Sequence, residues 1–452
     1  VAHHPVKLNE NRLRIDEFAS RLIVPGVAVG VIGLAVSAGL GFTRGPAERE
    51  HFFYSYLLAF VYFLGLTLGA LFFTMLHHLA RAGWSVVLRR IAEGLASNIL
   101  LMAVLFIPLL FGLSKLYQWT DPAMHHGEDK VWDHYKDHYL TTSGFVIRFV
   151  IYFAVWITLA LYFKSRSLKQ DTTGDVKLST TMAKVSAPGM ILLGYTLSAA
   201  AIDLLMSLNA NWASTIFGVY IFAGSVLTFL STLTLIALWL RGKGILAEAI
   251  TVEHYHDLGK LTFAFTFFWG YVAFSQFMLI WYANMPDETQ WFQPRQVGPW
   301  LWVSLVLLFG HLFIPFAGLM SRHAKRRLQI FAFWAVWILV ANFIDLFYII
   351  MPNEWAKQVA AFGATQNPPI LNMQVKDLLV SRHSVYTVKE QFASFVPTIN
   401  YPLSVPALLI TISCFVGIGG LYLAATMVNL RGKSIVPLKD PRLQESLAFE
   451  NV

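Results

Sequence analysis

Four acidic residues lie in stretches that are otherwise apolar. Asp203 is flanked as AAAIDLLMSL and Asp345 as ANFIDLFYII, while Glu93 and Asp257 sit near the ends of two further apolar runs. A carboxylate among hydrocarbon is costly unless it is hydrated, paired or protonated. Burial favours the neutral acid, which suits such a group to taking up and releasing protons. The plainer roles are interfacial solvation for Glu93 and Asp257, and a bond to Ser207 or Asn342 on the same helix for Asp203 and Asp345. His311 is the one histidine deep in an apolar run and is a further proton-transfer candidate. Gln276 and Asn284 stand in FSQFMLIWYANMPDETQWF, at positions 274–292. They are candidates to line a quinone pocket, with simple helix–helix contact as the commoner alternative.

Other chemistry is poorly supplied. Cys414 is the only cysteine, so CxxCH haem attachment and cysteine-ligated iron–sulfur clusters are excluded within this chain. Haem b needs histidines from two helices at matching depth, and only His311 is deep. The segment HHGEDKVWDHYKDH, at 125–138, gathers four histidines among acids, yet without a zinc spacing it reads as a solvated loop. GKG at 242–244 lacks the strand and helix context of a phosphate-binding loop. The expectation is a chain with no redox centre and no structural metal of its own.

The elements that hold these residues follow from composition. The chain is 56% hydrophobic and 13% charged with mean hydropathy +0.56, against about 25% charged in soluble domains. Ten apolar runs are long enough to cross a hydrocarbon core of ~30 Å: 20–42, 51–80, 91–117, 143–164, 184–207, 212–240, 258–284, 297–321, 327–351 and 402–430. Each must be helical, because a lone strand in lipid leaves its backbone unbonded. Of the 34 Lys and Arg residues, 23 fall on the face that holds both termini, which places the termini in the cytoplasm and the end of the seventh helix, at Pro286, outside. The net charge of +8 is then a set of inner-face anchors and calls for no nucleic acid. Twenty polar residues precede the first span, with no cleavable signal in view. Pro108 and Pro315 should free the carbonyls of Val104 and His311.

A repeat organises the spans. Ile-Asp-Leu occurs at 202–204 and again at 344–346; Glu93 and Asp257, Pro122 and Pro286, and the Ser-Arg pairs at 165 and 321 recur at similar offsets. The expected fold is an all-α polytopic membrane protein of ten transmembrane helices, with two repeated four-helix bundles and two flanking helices. The divisions are 1–50 (N-terminus and first helix), 51–207 (first bundle), 208–351 (second bundle), 352–401 (outer segment) and 402–452 (last helix and tail). Each bundle then carries one acid near its inner mouth and one in its outer half.

Two segments, HHLARAGWSVVLRRIAEGL at 77–95 and HDLGKLTFAFTFFWGYVAFSQFMLIWYANMPDETQWF at 256–292, make the chain resemble a membrane subunit of bacterial alternative complex III. This is a quinol oxidoreductase of respiratory chains whose two large membrane subunits belong to the NrfD/PsrC-like family. The 256–292 segment is most similar to the second of those, the ActF type. The resemblance covers essentially all the spans. It implies paired four-helix bundles in the bacterial inner membrane, a sister NrfD/PsrC-like subunit, and iron–sulfur and c-type haem proteins as outer partners. It also implies a proton-conducting role, with the quinol site in the sister subunit. No outer His/Asp pair is evident here to carry that quinol site across. A secondary transporter is the alternative, since repeats and buried acids are common in that class. The proton-relay candidates are therefore Asp203 with Glu93, Asp345 with Asp257, and His311.

Overall fold

The computed structural model describes residue 8 and residues 13–120, 138–296, 298–365 and 401–450. Pro122, the loop histidines at 125, 126 and 134, and the segment 366–400 lie outside the described residues. The chain is an all-α multi-pass membrane protein: ten helices are long and apolar enough to cross a bilayer. They are α1 (Asp16–Arg44), α2 (Pro46–Leu79), α3 (Val86–Leu110), α4 (Thr142–Thr173), α5 (Lys177–Leu204), α6 (Phe217–Gly242), α7 (Val252–Ala283), α8 (Pro299–Met320), α9 (Leu328–Thr365) and α10 (Val405–Leu430). The segments flanking α1 and α10, at Leu13 and Ile435, lie on one side, called here the terminal side, because Ile435 N donates to Leu13 O at 2.9 Å.

Helix packing follows a cyclic order twice. In the first half α2 packs on α3 and α5, and α4 on α3 and α5; in the second α6 packs on α7 and α9, and α8 on α7 and α9. The two sets meet through α2 on α6, with α9 touching both. α1 and α10 pack chiefly on each other and on α2, which makes α2 the hub and explains why it is buried nearly all round.

The α1–α10 contact is made by backbone. A Cβ placed on Gly33 would lie 2.8 Å from the Cα of Gly417, and one on Gly420 would lie 2.7 Å from Gly30 N. Between lipid-facing helices there is no hydrophobic drive, so close approach of small residues supplies the attraction. Gly33→Val should therefore cost about 1–3 kcal/mol through overpacking, read as a lower unfolding temperature in detergent. Gly39→Val, where nothing lies within 4 Å, should leave that temperature unchanged; equal effects at both positions would refute the contact.

Two proline positions depart from the sequence expectation. α3 stops at Leu110, not near 117, after a break at Ser97–Asn98 and two residues beyond Pro108. α9 was expected to end before Pro352 but runs through it to Thr365. Proline removes the bond to the carbonyl four residues back, here Tyr348 O. Arg295 takes over: its Nε donates to Tyr348 O at 3.1 Å and its Nη2 to Ile349 O at 2.8 Å. The break is thus repaired by a side chain from the α7–α8 connection, and the helix continues.

Candidate functional site

The second bundle assembles its site around Asp345. Its carboxylate is 3% exposed and accepts from two other helices: Tyr220 OH of α6 donates to Oδ1, and Trp269 Nε1 of α7 donates to Oδ2 at 3.1 Å. His311 of α8 lies against the far face of Trp269, ring centroids 3.8 Å apart. Neither ring nitrogen of His311 has a hydrogen-bond partner among the described residues. The α8 backbone around it, Leu307–Phe313, is wound as a π-helix, a form found mostly as isolated bulges, often at functional sites. Pro315 explains part of this: it cannot donate to His311 O, and the neighbouring Gly310 O is taken by Trp337 Nε1 at 2.6 Å.

A cavity of about 20 Å³ opens beside Asp345, lined by Asn342, Ser225, Thr228, Tyr62 and Tyr220 among others. That is room for one water molecule, with several polar groups to hold it. Two ladders of hydroxyls leave this point toward the terminal side. On α6 they are Ser225, Thr228 and Thr232; on α7 they are Thr266 and Thr262, both fully buried and on the same face as Trp269. All five hydroxyls donate to their own helix carbonyls, leaving their lone pairs free to accept.

The first bundle holds its acid differently. Asp203, 0% exposed, is clamped by Arg148 of α4, Nε to Oδ2 and Nη2 to Oδ1 both at 2.9 Å. Tyr152 OH donates to Oδ2 at 3.0 Å. Arg148 also lies over the Tyr139 ring at 3.9 Å. Asp203 and Asp345 occupy corresponding places in the two Ile-Asp-Leu segments, yet one faces α4 and the other α6 and α7. The own-helix alternative fails for both. Ser207 bonds the backbone of Asp203 and Asn342 that of Ile338, so neither carboxylate is satisfied by its own helix.

The terminal-side acids are not brought to these sites. Counting helical rise, Glu93 lies about 28 Å in depth from Asp203, and Asp257 about 18 Å from Asp345. Glu93, 2% exposed, stands 3.1 Å from Arg90 Nε in a cluster where Arg90 also binds Asp171 at 2.7 Å and Ser167 Oγ at 3.0 Å. Asp257 pairs with Lys260 at the rim. Between Trp156, bonded to Thr196 at 2.9 Å, and Ser167, the inward face of α4 is Leu159, Ala160 and Phe163, all buried and apolar. The first bundle has buried hydroxyls at Thr196 and Ser186 of α5 and Thr74 of α2, while the second has them at three- and four-residue spacing on two facing helices.

The two quinone-pocket candidates are separated. Gln276 is buried with its Oε1 unpartnered among the described residues. Asn284 is exposed and closes α7 in the left-handed conformation, φ 49°, the role for which Asn is suited at a helix end. Neither lines the cavity at Asp345 or the larger one described below.

Sequence reasoning missed a third cluster. His51 Nδ1 lies 2.7 Å from Glu354 Oε2, both side chains 0% exposed, where α2, α9 and α10 meet on the side away from the termini. His51 Nε2 contacts Ala407 O at 3.0 Å and Thr411 Oγ1 at 3.1 Å, and Ser55 joins Thr411 at 2.8 Å. A His–acid pair therefore exists on the side away from the termini, with Glu in place of Asp. His51 is the first residue of the run 51–80, and Glu354 falls in the segment 352–401 beyond the ninth run. The signal was the unbroken α9, hidden by the proline.

Among the described residues no three His, Cys, Asp or Glu side chains converge as metal ligands. Fold and site together define a multi-pass helical membrane protein with buried acids in the far half of each four-helix set, Asp203 in the first and Asp345 and Glu354 in the second. Compared with known protein families and curated proteins, the chain matches no family model and no curated relative.

Proposed function

We propose that the chain is a cofactor-free membrane subunit of a respiratory quinol oxidoreductase of the alternative complex III type, with termini in the cytoplasm and partners carrying iron–sulfur clusters and c-type haem. In this reading its second bundle conducts protons, with Asp345 as the outer relay group. The observation that carries the reading is the water-sized polar cavity at Asp345. Both carboxylate oxygens already accept from Tyr220 and Trp269. A proton must arrive on a remaining lone pair, and a water held by Asn342, Ser225 or Thr228 is positioned to deliver it. The hydroxyls of α6 and α7 supply acceptors for further waters toward the cytoplasmic side. His311 belongs to this site through Trp269. Asp203 does not act as a relay in this reading, because its charge is matched by Arg148.

Asp345→Asn keeps the shape and one acceptor oxygen, for Trp269 Nε1, with its amide N–H facing the Tyr220 oxygen, but cannot take up a proton. It should leave assembly and haem content intact and lower the proton-coupled rate about 10²-fold, with the apparent quinol KM unchanged. Wild-type rate and proton stoichiometry in this variant would end the relay reading. Purification of the native chain without any haem protein would end the respiratory one and favour the transporter.

A further inference from the structure

A second cavity is far larger, about 770 Å³, and lies between α2, α6, α9 and α10 with α1 at one end. Its wall runs from Ile412 to Met427 along α10, about 22 Å at helical rise. That exceeds the ~15 Å depth of one leaflet's hydrocarbon. Leu95, Tyr62 and Phe63 form a buried floor, while Val340 and Ile412 on the rim are 54% and 53% exposed. The shape is a slot, open sideways where lipid lies and ending near the terminal side at Trp239 and Met427.

Apart from Trp239 at its terminal-side end, the polar groups on its wall are engaged. Tyr62 OH donates to Leu339 O at 3.2 Å, Tyr422 OH to Leu95 O at 3.4 Å, Thr426 to Tyr422 O at 2.8 Å and Thr232 to Thr228 O at 2.8 Å. Along the body of the slot a quinone head would find no free donor for its carbonyls, whereas a hydrocarbon chain needs none, and the Trp239 N–H lies at the end where a headgroup would sit. The polar end of the occupant must then sit at the mouth. There the surrounding helices end in exposed cations: Arg21 on α1, Lys243 after α6, Arg327 before α9 and Arg431 after α10. Against these stand Asp16 and Glu17 of α1, Glu17 paired with Arg21. The balance is positive, and basic mouths between transmembrane helices recruit anionic headgroups.

We propose that this slot holds an acyl chain of an anionic phospholipid, extended along α10, with its phosphate at the Lys243–Arg431 end. The proposal does not depend on proton conduction. Mass spectrometry of the native complex in mild detergent should find about one phosphatidylglycerol or cardiolipin retained per chain. Leu339→Trp, which fills the slot from α9, should reduce that retention at least tenfold. Lys243→Gln with Arg431→Gln should instead abolish the preference for phosphatidylglycerol over phosphatidylcholine on exchange with mixed vesicles. Should the filled variant not fold, the wild-type chain still decides. Chain-brominated phosphatidylglycerol should quench its tryptophan emission more than that of Trp239→Phe, and chain-brominated phosphatidylcholine should show a smaller difference. Retained quinone in place of phospholipid, equal retention in the filled variant, or no lipid because a partner's helix covers the slot would each overturn the assignment.

Discussion

Arg148→Leu is expected to destabilise the protein by about 3–5 kcal/mol, the cost of leaving a buried charge without its partner. The carboxylate of Asp203 is wholly buried, while the Arg148 side chain keeps 19% of its surface. The two ends of the pair are therefore unequal. Without Arg148, Asp203 retains only Tyr152 and must be protonated or hydrated among apolar helices. Without the carboxylate, in Asp203→Asn, the guanidinium can lean outward and keeps Tyr139 O at 2.8 Å. Asp203→Asn should therefore cost clearly less. Unfolding of both variants in one detergent checks the order, and equal or reversed losses would show that the pair is not the anchor of the first bundle.

The second large effect belongs to Arg295. It is 1% exposed, has no acidic partner among the described residues, and stacks on Trp291 at 3.4 Å. Burial pulls its guanidinium down to about 9, so it is still a cation at neutral pH. What holds it is backbone: Tyr348 O, Ile349 O and Trp291 O all accept from it. Arg295→Leu orphans Tyr348 O, which Pro352 leaves with no substitute donor, at about 1–3 kcal/mol for a buried acceptor, whereas Ile349 O keeps Asn353 Nδ2 at 2.9 Å. Pro352→Ala restores an N–H able to reach Tyr348 O. In that background the cost of Arg295→Leu should fall by about 1 kcal/mol or more, the coupling expected of groups that share a partner. Additive losses would show that Arg295 is not compensating for the proline.

Much of the architecture was legible because membrane helices announce themselves twice, by length and by the scarcity of charge. Each of the ten runs became a helix, with ends displaced by a few residues. The errors fell at prolines. Pro108 preceded the end of α3 more closely than expected, and Pro352 failed to end α9 because a remote arginine replaced the missing donor. That compensation is tertiary and has no local signature. The acids were found for the same reason as the helices, since charge within an apolar run is conspicuous. Their partners were not, since Tyr220, Trp269 and Arg148 are ordinary residues until helix rotation aims them inward. Asn284 shows the converse error: it looked like a pocket residue because of its polarity, and its backbone conformation assigns it to a helix end. His51 and Glu354 escaped because each sat at the margin of a run, where polarity attracts no notice.

The contact between the first and last helices also bears on how the chain is made. α1 enters the bilayer first, yet its glycine face meets its partner only when α10 emerges from the ribosome more than 350 residues later. The residues after α10 then return to the start: Ile435 bonds Leu13, Asp440 binds Arg89 at 2.7 Å, and Ser446 Oγ donates to Trp84 O at 2.6 Å. Until that moment α1 has only α2 to pack on and the buried Arg89 lacks Asp440. Chains arrested before residue 405 should accordingly be inserted but open to membrane proteases, and co-expression of 402–452 as a separate fragment should protect them. Emergence of residues 405–446 is then the step that closes the molecule.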